Sequence, residues 1–417
     1  MEASLIKRIS FLFCFSVAFL LIAVAAIADT TEETAEAVDA VEAKKSPIKI
    51  GGAMRANYVY GTYTDGRGDG IGDVDLEILR INADLDFNNI IGRLEYRWYP
   101  RWFGSSSGYS MIHTAWLGYN LEDLGSLKAG IVRVPFGPGP YGVSSSWFFD
   151  QHFYVGLSDD PDLGVRWTGS FDKLTYDVAY YLQSEFQTDG DYSLNSSRYA
   201  YDVVTRRISE DGDDEEGYDE QHQFNVRAIY AIENIADVGV SFQYGGLKAT
   251  NVADDENGSH YAFSAHMKNS YANFTLFSQF SYYDHIIADK TPWGTGDTIL
   301  MGAYDFPDEV ASNGIVPAVS LRYEGINTSS ISWLDSVTPY VEYSSIFKTA
   351  EDFNPSTLIT VGASWTLFGS LYVYSDFAFS DGNPFVGNDG AGNLAANEDY
   401  DEKKWNYRLN LNFGYYF

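Results

Sequence analysis

The chain has 417 residues, 58 acidic against 27 basic side chains, a formal charge of -31, one cysteine, and 32 Tyr, 27 Phe and 9 Trp. The acidic balance excludes an electrostatic nucleic-acid binder, which needs a basic face to neutralise phosphates, and a lone cysteine excludes a disulfide framework or a cysteine metal cluster. No Pro- or Ser-rich linker divides the length into soluble domains, and a mean hydropathy of -0.21 fits a large sheet in which apolar and polar residues alternate and average out.

Lys7 and Arg8 precede an apolar run from Ile9 that ends in Ala26-Ile27-Ala28. A basic start, an apolar centre and small residues at the exit read as an export signal over residues 1–28, cleaved after Ala28. Cys14 lies inside it, so the exported chain would carry no thiol. Residues 29–47 are rich in Ala, Glu and Thr, have little to bury, and are expected to form a mobile arm. No later apolar run has the length of a helical membrane span.

From Ile48 onward the pattern has period two. Ile50, Met54, Tyr58 and Tyr60 share one parity, with Lys49, Arg55 and Asn57 on the other. Leu79, Ile81, Leu85 and Phe87 oppose Arg80, Asn82, Asp84 and Asp86, and Leu94, Tyr96 and Trp98 oppose Arg93, Glu95 and Arg97. Comparable segments recur through the chain to Trp405–Phe417, where every odd position is apolar or aromatic and Asn406, Arg408, Asn410 and Asn412 fill even ones. Such alternation puts one set on each sheet face. The last segment is longer than an ordinary soluble strand and carries aromatics at both ends, as a tilted bilayer span would. Short connections such as Asn88-Asn89-Ile90, Asp172-Lys173 and Phe368-Gly369 alternate with long ones at 61–73, 136–162, 186–220, 285–314 and 381–402. The prediction is an all-β fold: a transmembrane antiparallel β-barrel over 48–417, of about 16 strands, with short periplasmic turns and long extracellular loops.

The export signal, the alternating segments and the terminal Tyr415-Tyr416-Phe417 resemble Gram-negative outer-membrane porins. Within that group, Leu124 through Val134-Pro135-Phe136-Gly137 looks like the strand-to-loop motif of the phosphate-selective porin O/P family, and Gly362-Ala363-Ser364 and Leu371 through Asp376 are also similar to it. The chain departs from that family in a shorter N-terminal segment and in having no obvious Lys cluster in its third long loop. The resemblance implies a water-filled channel in the outer membrane for passive diffusion of small hydrophilic solutes and ions, with a preference for anions such as phosphate. It further implies a homotrimer among outer-membrane lipid and lipopolysaccharide, with Tyr415 and Phe417 as the signal read by the barrel-assembly machinery. No cofactor is expected.

Transport would depend on what narrows and charges the lumen. Loop 136–162 is the candidate constriction. Phe136, Trp147, Phe148 and Phe149, with Phe153 and Tyr154, are expected to pack on the inner wall and leave Asp150, Gln151, His152, Asp159, Asp160 and Asp162 to solvent; the bland alternative is an outer loop packed on its own base or on a neighbouring subunit. Arg55, Arg80, Arg93, Arg97, Arg166, Arg227, Lys268, Arg322 and Arg408 fall on the polar parity with Glu95. As a ring they would favour anions. Paired with Glu95, Asp177, Glu185, Glu324 and Glu342 they would be a lattice of wall ion pairs instead. Basic side chains on the lipid face would cost about 2 to 4 kcal/mol each. Acidic runs at 210–216, 254–256 and 398–402 sit in long loops, where they are solvated or hold divalent cations against lipopolysaccharide phosphates. No catalytic signature stands out, the six histidines lack ligand spacing, and no metal site is expected. A barrel hydrolase and a structural or adhesive surface protein are the competing classes.

Overall fold

The computed structural model describes residues 46–61, 72–100, 108–186, 193–194, 198–208, 214–250, 256–287, 296–351, 353–386, 394 and 405–417. The expected export signal, the arm up to residue 45 and much of the acidic runs lie outside these residues.

Pro47–Phe417 forms one unit, a closed antiparallel ring of sixteen long strands. The first seven are β1 (Ile48–Gly61), β2 (Asp73–Phe87), β3 (Ile90–Tyr99), β4 (Tyr109–Asn120), β5 (Ser126–Arg133), β6 (Pro161–Phe171) and β7 (Leu174–Gln183). The others are Asp214–Ile232, Ala236–Thr250, Gly258–Tyr271, Phe274–Ile286, Asn313–Tyr323, Leu334–Lys348, Ser356–Leu367, Leu371–Asp381 and Asn406–Tyr416. Each pairs with its chain neighbours, and β1 pairs with the last from Ala53↔Tyr416 to Gly61↔Arg408. Closure removes the unpaired edges that an open sheet would present.

The pleat turns the sequence alternation into an inside and an outside. Along Ala236–Thr250, Val240, Phe242 and Tyr244 are exposed on the outer face while Ser241 and Gln243 are buried within. Phe263 stands opposite Phe242, and Ser264 opposite Ser241. The tight turns are set by residues in the left-handed region, Asn88 at φ 56°, Asp172 at φ 52° and Asn234 at φ 60°, where the short amide or carboxylate side chain tolerates positive φ. The strand expected from about 221 begins at Asp214. Its acidic start hides the alternation, but Gly217 still pairs with Thr250.

Two connections expected as plain outer loops carry structure of their own. Thr298–Ala303 pairs with Phe306–Ala311, and Asp202–Val203 adds to the hairpin's other edge. This small sheet packs with the segment between β5 and β6 and with inward residues of the wall, joining Tyr99, Met111, Phe153, Tyr199, Met301 and Tyr283 in one buried cluster. An apolar cluster therefore lies inside the ring, where the small sheet meets the inward segment.

Candidate constriction and pore wall

Between β5 and β6, residues 134–160 run inside the ring and are fastened to strands far away in sequence. Gly137 N–H donates to Ser241 Oγ at 3.1 Å. Ser144 Oγ donates to Glu342 Oε2 at 2.8 Å, and the Ser145 amide donates to the same carboxylate. Trp147 donates its backbone N–H to Asp376 Oδ2 at 2.9 Å and its indole N–H to Glu77 Oε1 at 3.0 Å. Gln151 bonds Ser344 Oγ and the Ser356 carbonyl at 3.0 and 3.1 Å. Glycine suits position 137, because φ is +68°, where most side chains are strained, and a Cβ would stand 2.7 Å from Gln279 Oε1 and push that side chain aside.

Burial along this segment differs from the expectation. Asp150, Gln151, His152, Asp159, Asp160 and Asp162 are all buried and do not meet solvent. The reason is hydrogen bonding. Asp150 accepts from the Val143 and His152 amides and from His152 Nδ1, each at 2.8 Å, while His152 Nε2 meets Ser281 Oγ at 2.9 Å. Carboxylate and imidazole thus satisfy backbone groups that would otherwise be stranded away from water. Of the aromatics, Phe136 and Phe148 are buried, the latter against Leu358, Ala378 and Val386. Trp147 and Phe149 instead keep an edge on open space.

That space is a cavity of about 510 Å³, bordered on one side by Trp147, Phe149 and Tyr199 and on the wall by Arg55, Arg80 and Arg97. Arg322 and Glu324 also reach it. Glu95, at 3% exposure, is the shared counter-ion: it lies 2.6 Å from both Arg93 and Arg97 and 3.8 Å from Arg80. Arg93 turns away from the cavity and also holds Asp84 at 2.7 Å. Arg55 pairs with Glu77 at 2.7 Å. Asp159, in the inward segment, takes the Arg133 guanidinium and the Tyr199 hydroxyl. Burial by itself would raise the Asp159 carboxyl, but Arg133, His113 and Arg97 outweigh burial and hold it well below the usual carboxylate range.

Of the remaining predicted cations, Arg322 reaches the cavity without contacting Glu95 or Asp159, and the others stand apart from it. Arg166 and Arg227 both clamp Asp177, each reaching 2.8 Å. Arg322 lies 4.8 Å over the Phe277 ring and 3.3 Å from Glu324, while Lys268 is exposed 5.8 Å from the same ring. Arg408 departs from the pore-lining expectation: at 2% exposure it sits beneath the inward segment, 4.6 Å from the Trp147 ring and 5.2 Å from Phe148. Its Nη1 donates to the Phe385 carbonyl at 3.0 Å and its Nη2 to Asn410 at 2.8 Å. Tyr415 and Phe417 are exposed on the outer face with their rings 6.1 Å apart, and the Phe417 backbone exchanges hydrogen bonds with Gly52.

Two residues missed by parity are set by β-bulges. The β1/β2 register shifts between Arg55 and Ala56, which leaves Glu77 as the extra residue and turns both Glu77 and Ile78 inward. A shift between Glu95 and Tyr96 does the same for His113 on β4. A break in the alternation at Glu77-Ile78 was the available sequence signal.

No protein-family model matches the chain, and no curated protein matches it in sequence. The similarity to the O/P family is thus without a family-level match. In fold, the chain is similar to the outer membrane channel DcaP of Acinetobacter baumannii, with a TM-score of 0.55 at 11% identity over 89% of this chain and 97% of that one. It is also similar to the anion-selective porin from Comamonas acidovorans, with a TM-score of 0.54 at 11% identity over 89% and 99%. OmpF of Salmonella typhi gives 0.54 at 14% identity over 89% and 97%. At such identities the likeness shows the fold alone.

Proposed function

We propose that the protein is an outer-membrane porin of a Gram-negative bacterium, a water-filled channel for passive diffusion of small hydrophilic solutes and ions. The observation that carries this reading is the inward segment 134–160, hydrogen-bonded across the ring to Glu342, Asp376 and Glu77, beside a polar cavity of about 510 Å³. A channel needs a wet, charged constriction on a rigid wall, and the braced segment beside this cavity is suited to that. The outward Val, Phe and Tyr residues support a lipid-facing belt. Export by a cleaved signal, a homotrimeric state, assembly through Tyr415 and Phe417, and contact with lipopolysaccharide belong to the same reading and rest on the porin resemblance.

A preference for anions, phosphate among them, is the finer part. It is supported by three guanidiniums around the single Glu95 carboxylate, two of which, Arg80 and Arg97, border the cavity. The apolar cluster inside the ring supports a narrowed passage, suited to ions and small solutes.

Purified protein in planar bilayers tests the reading. Stepwise ohmic conductance, with a reversal potential on the anion side in a salt gradient, is expected. No conductance, or hydrolysis of lipid or peptide by the same sample, overturns it in favour of the barrel-hydrolase or surface-protein class.

A further inference from the structure

A second polar centre lies away from the cavity, at the long-loop end where the inward segment rejoins the wall. Asp160 and Asp162 flank Pro161 at the start of β6, and Asp202 comes from the segment that carries Tyr199. One carboxylate oxygen from each lies within 4.8 Å of the others, and all three residues are buried.

The local charge does not balance. Glu185 and Glu220 are buried beside the trio: Glu220 shares a hydrogen bond with Asp202, and Arg198 Nη1 lies 3.3 Å from Asp202 Oδ2 and 3.9 Å from Glu185 Oε2. Among the described residues, the ion pairs set only Arg198 and, 3.7 Å from Glu220, the His260 imidazole against this group of five carboxyls.

The hydrogen bonds do not balance either. Asp160 Oδ1 and Asp162 Oδ1 are shielded from water and have no hydrogen-bond donor among the described residues, while Asp202 Oδ2 and Glu185 Oε2 have only the shared Arg198 guanidinium near them. Gln223 donates Nε2 to Asp162 Oδ2 at 3.3 Å, but its own Oε1 is also without a donor. The wall elsewhere saturates its carboxylates: Glu95 has three arginines and Asp177 two. Stranded anionic oxygens are costly, and what they lack is a positive charge that accepts lone pairs from several directions.

We propose that Asp160, Asp162 and Asp202 bind a divalent cation of the calcium class, which fastens the end of the inward segment to the segment carrying Tyr199. The donor set is all oxygen, which suits a hard cation and not zinc or copper. Calcium to oxygen distances of about 2.3 to 2.6 Å allow ligand oxygens up to about 5 Å apart across the ion, and the three oxygens lie within 4.8 Å of one another. Asp159 and Tyr199, one on each fastened segment, are hydrogen-bonded to each other at the edge of the cavity. The cation would therefore hold the wall of the cavity from behind without entering it.

The test uses the full-length protein in detergent, so its result does not depend on conductance. After chelation with EDTA and desalting, terbium luminescence and equilibrium dialysis with calcium should reveal one tight, saturable site per chain. Asp162→Asn with Asp202→Asn should weaken it by about 100-fold, whereas Glu122→Gln with Asp123→Asn, in the exposed turn between β4 and β5, should leave it intact. Calcium should raise the thermal unfolding temperature of the chelated wild type by several degrees, which secures a readout should the double variant fail to fold. Absence of a tight site in the wild type, equal affinity in the Asp162/Asp202 variant, or an unfolding temperature indifferent to calcium and EDTA overturns the proposal in favour of carboxyls that share protons.

Discussion

The guanidinium of Arg97 lies over the ring of Tyr199, 4.4 Å from its centre. The same tyrosine donates its hydroxyl to the buried Asp159, so one side chain fixes both a wall cation and the end of the inward segment. Tyr199→Phe keeps the ring and removes the donor. It is expected to lower unfolding stability by about 1 to 3 kcal/mol, the cost of a buried acceptor losing one partner, and to leave ion selectivity unchanged. Tyr199→Ala removes the stacking as well and should add rapid current fluctuations in single-channel records. Urea unfolding followed by tryptophan fluorescence, with bilayer recordings of both variants, separates the two effects.

The proposed anion preference rests on the cavity arginines. Replacing Arg80 and Arg97 together by Ala, with Arg93 kept as the partner of Glu95, removes about 1 kcal/mol of attraction for a passing anion, or about fivefold in permeability ratio. The reversal potential in a tenfold salt gradient should move toward the cation side. Arg93→Ala alone should move it less, because Arg93 turns toward Asp84. Equal shifts in the two variants would argue against the cavity as the selective region.

Asp177 holds Arg166 and Arg227 on the inner wall. Asp177→Asn leaves two half-buried guanidiniums with a neutral amide, a loss on the order of 3 to 5 kcal/mol for a broken buried pair. The expected result is a lower temperature for the heat-induced shift in gel mobility that marks barrel unfolding. A variant as heat-resistant as the parent would mean that solvent reaches both arginines.

The lipid-facing belt can be tested at Val361, which lies near the middle of Ser356–Leu367 and is exposed on the outer face. Val361→Arg should destabilise the barrel folded into phosphatidylcholine vesicles by about 2 to 4 kcal/mol. In detergent, where the arginine head can reach water, the same change should cost much less. Equal costs in both media would place Val361 outside the hydrocarbon.

Much of the ring was legible in the sequence, because parity is a local property: Phe242 beside Ser241 already says which side chain faces out. Glu77 was not, since a bulge puts two successive residues on one face and so breaks the rule that parity relies on. Asp150 and His152 looked like solvent-facing residues because loops usually are. Their burial depends on Ser281, more than a hundred residues later, and on backbone amides that only the folded segment brings within reach. The small inner sheet was hidden for a related reason. Asp202-Val203 contributes two residues to a partner hairpin near Met301, too short a run to leave a period. Asp160, Asp162 and Asp202 come together only through that pairing and the return of the inward segment.

Arg408 is covered by Trp147 and Phe148, and this makes width and charge a single variable. Any excursion that lifts the inward segment off the wall uncovers a guanidinium in the same motion that enlarges the opening. On the proposed channel reading, a wider state would therefore also be a more positive one, and solutes too large for the narrower passage would meet a surface that selects among them by charge.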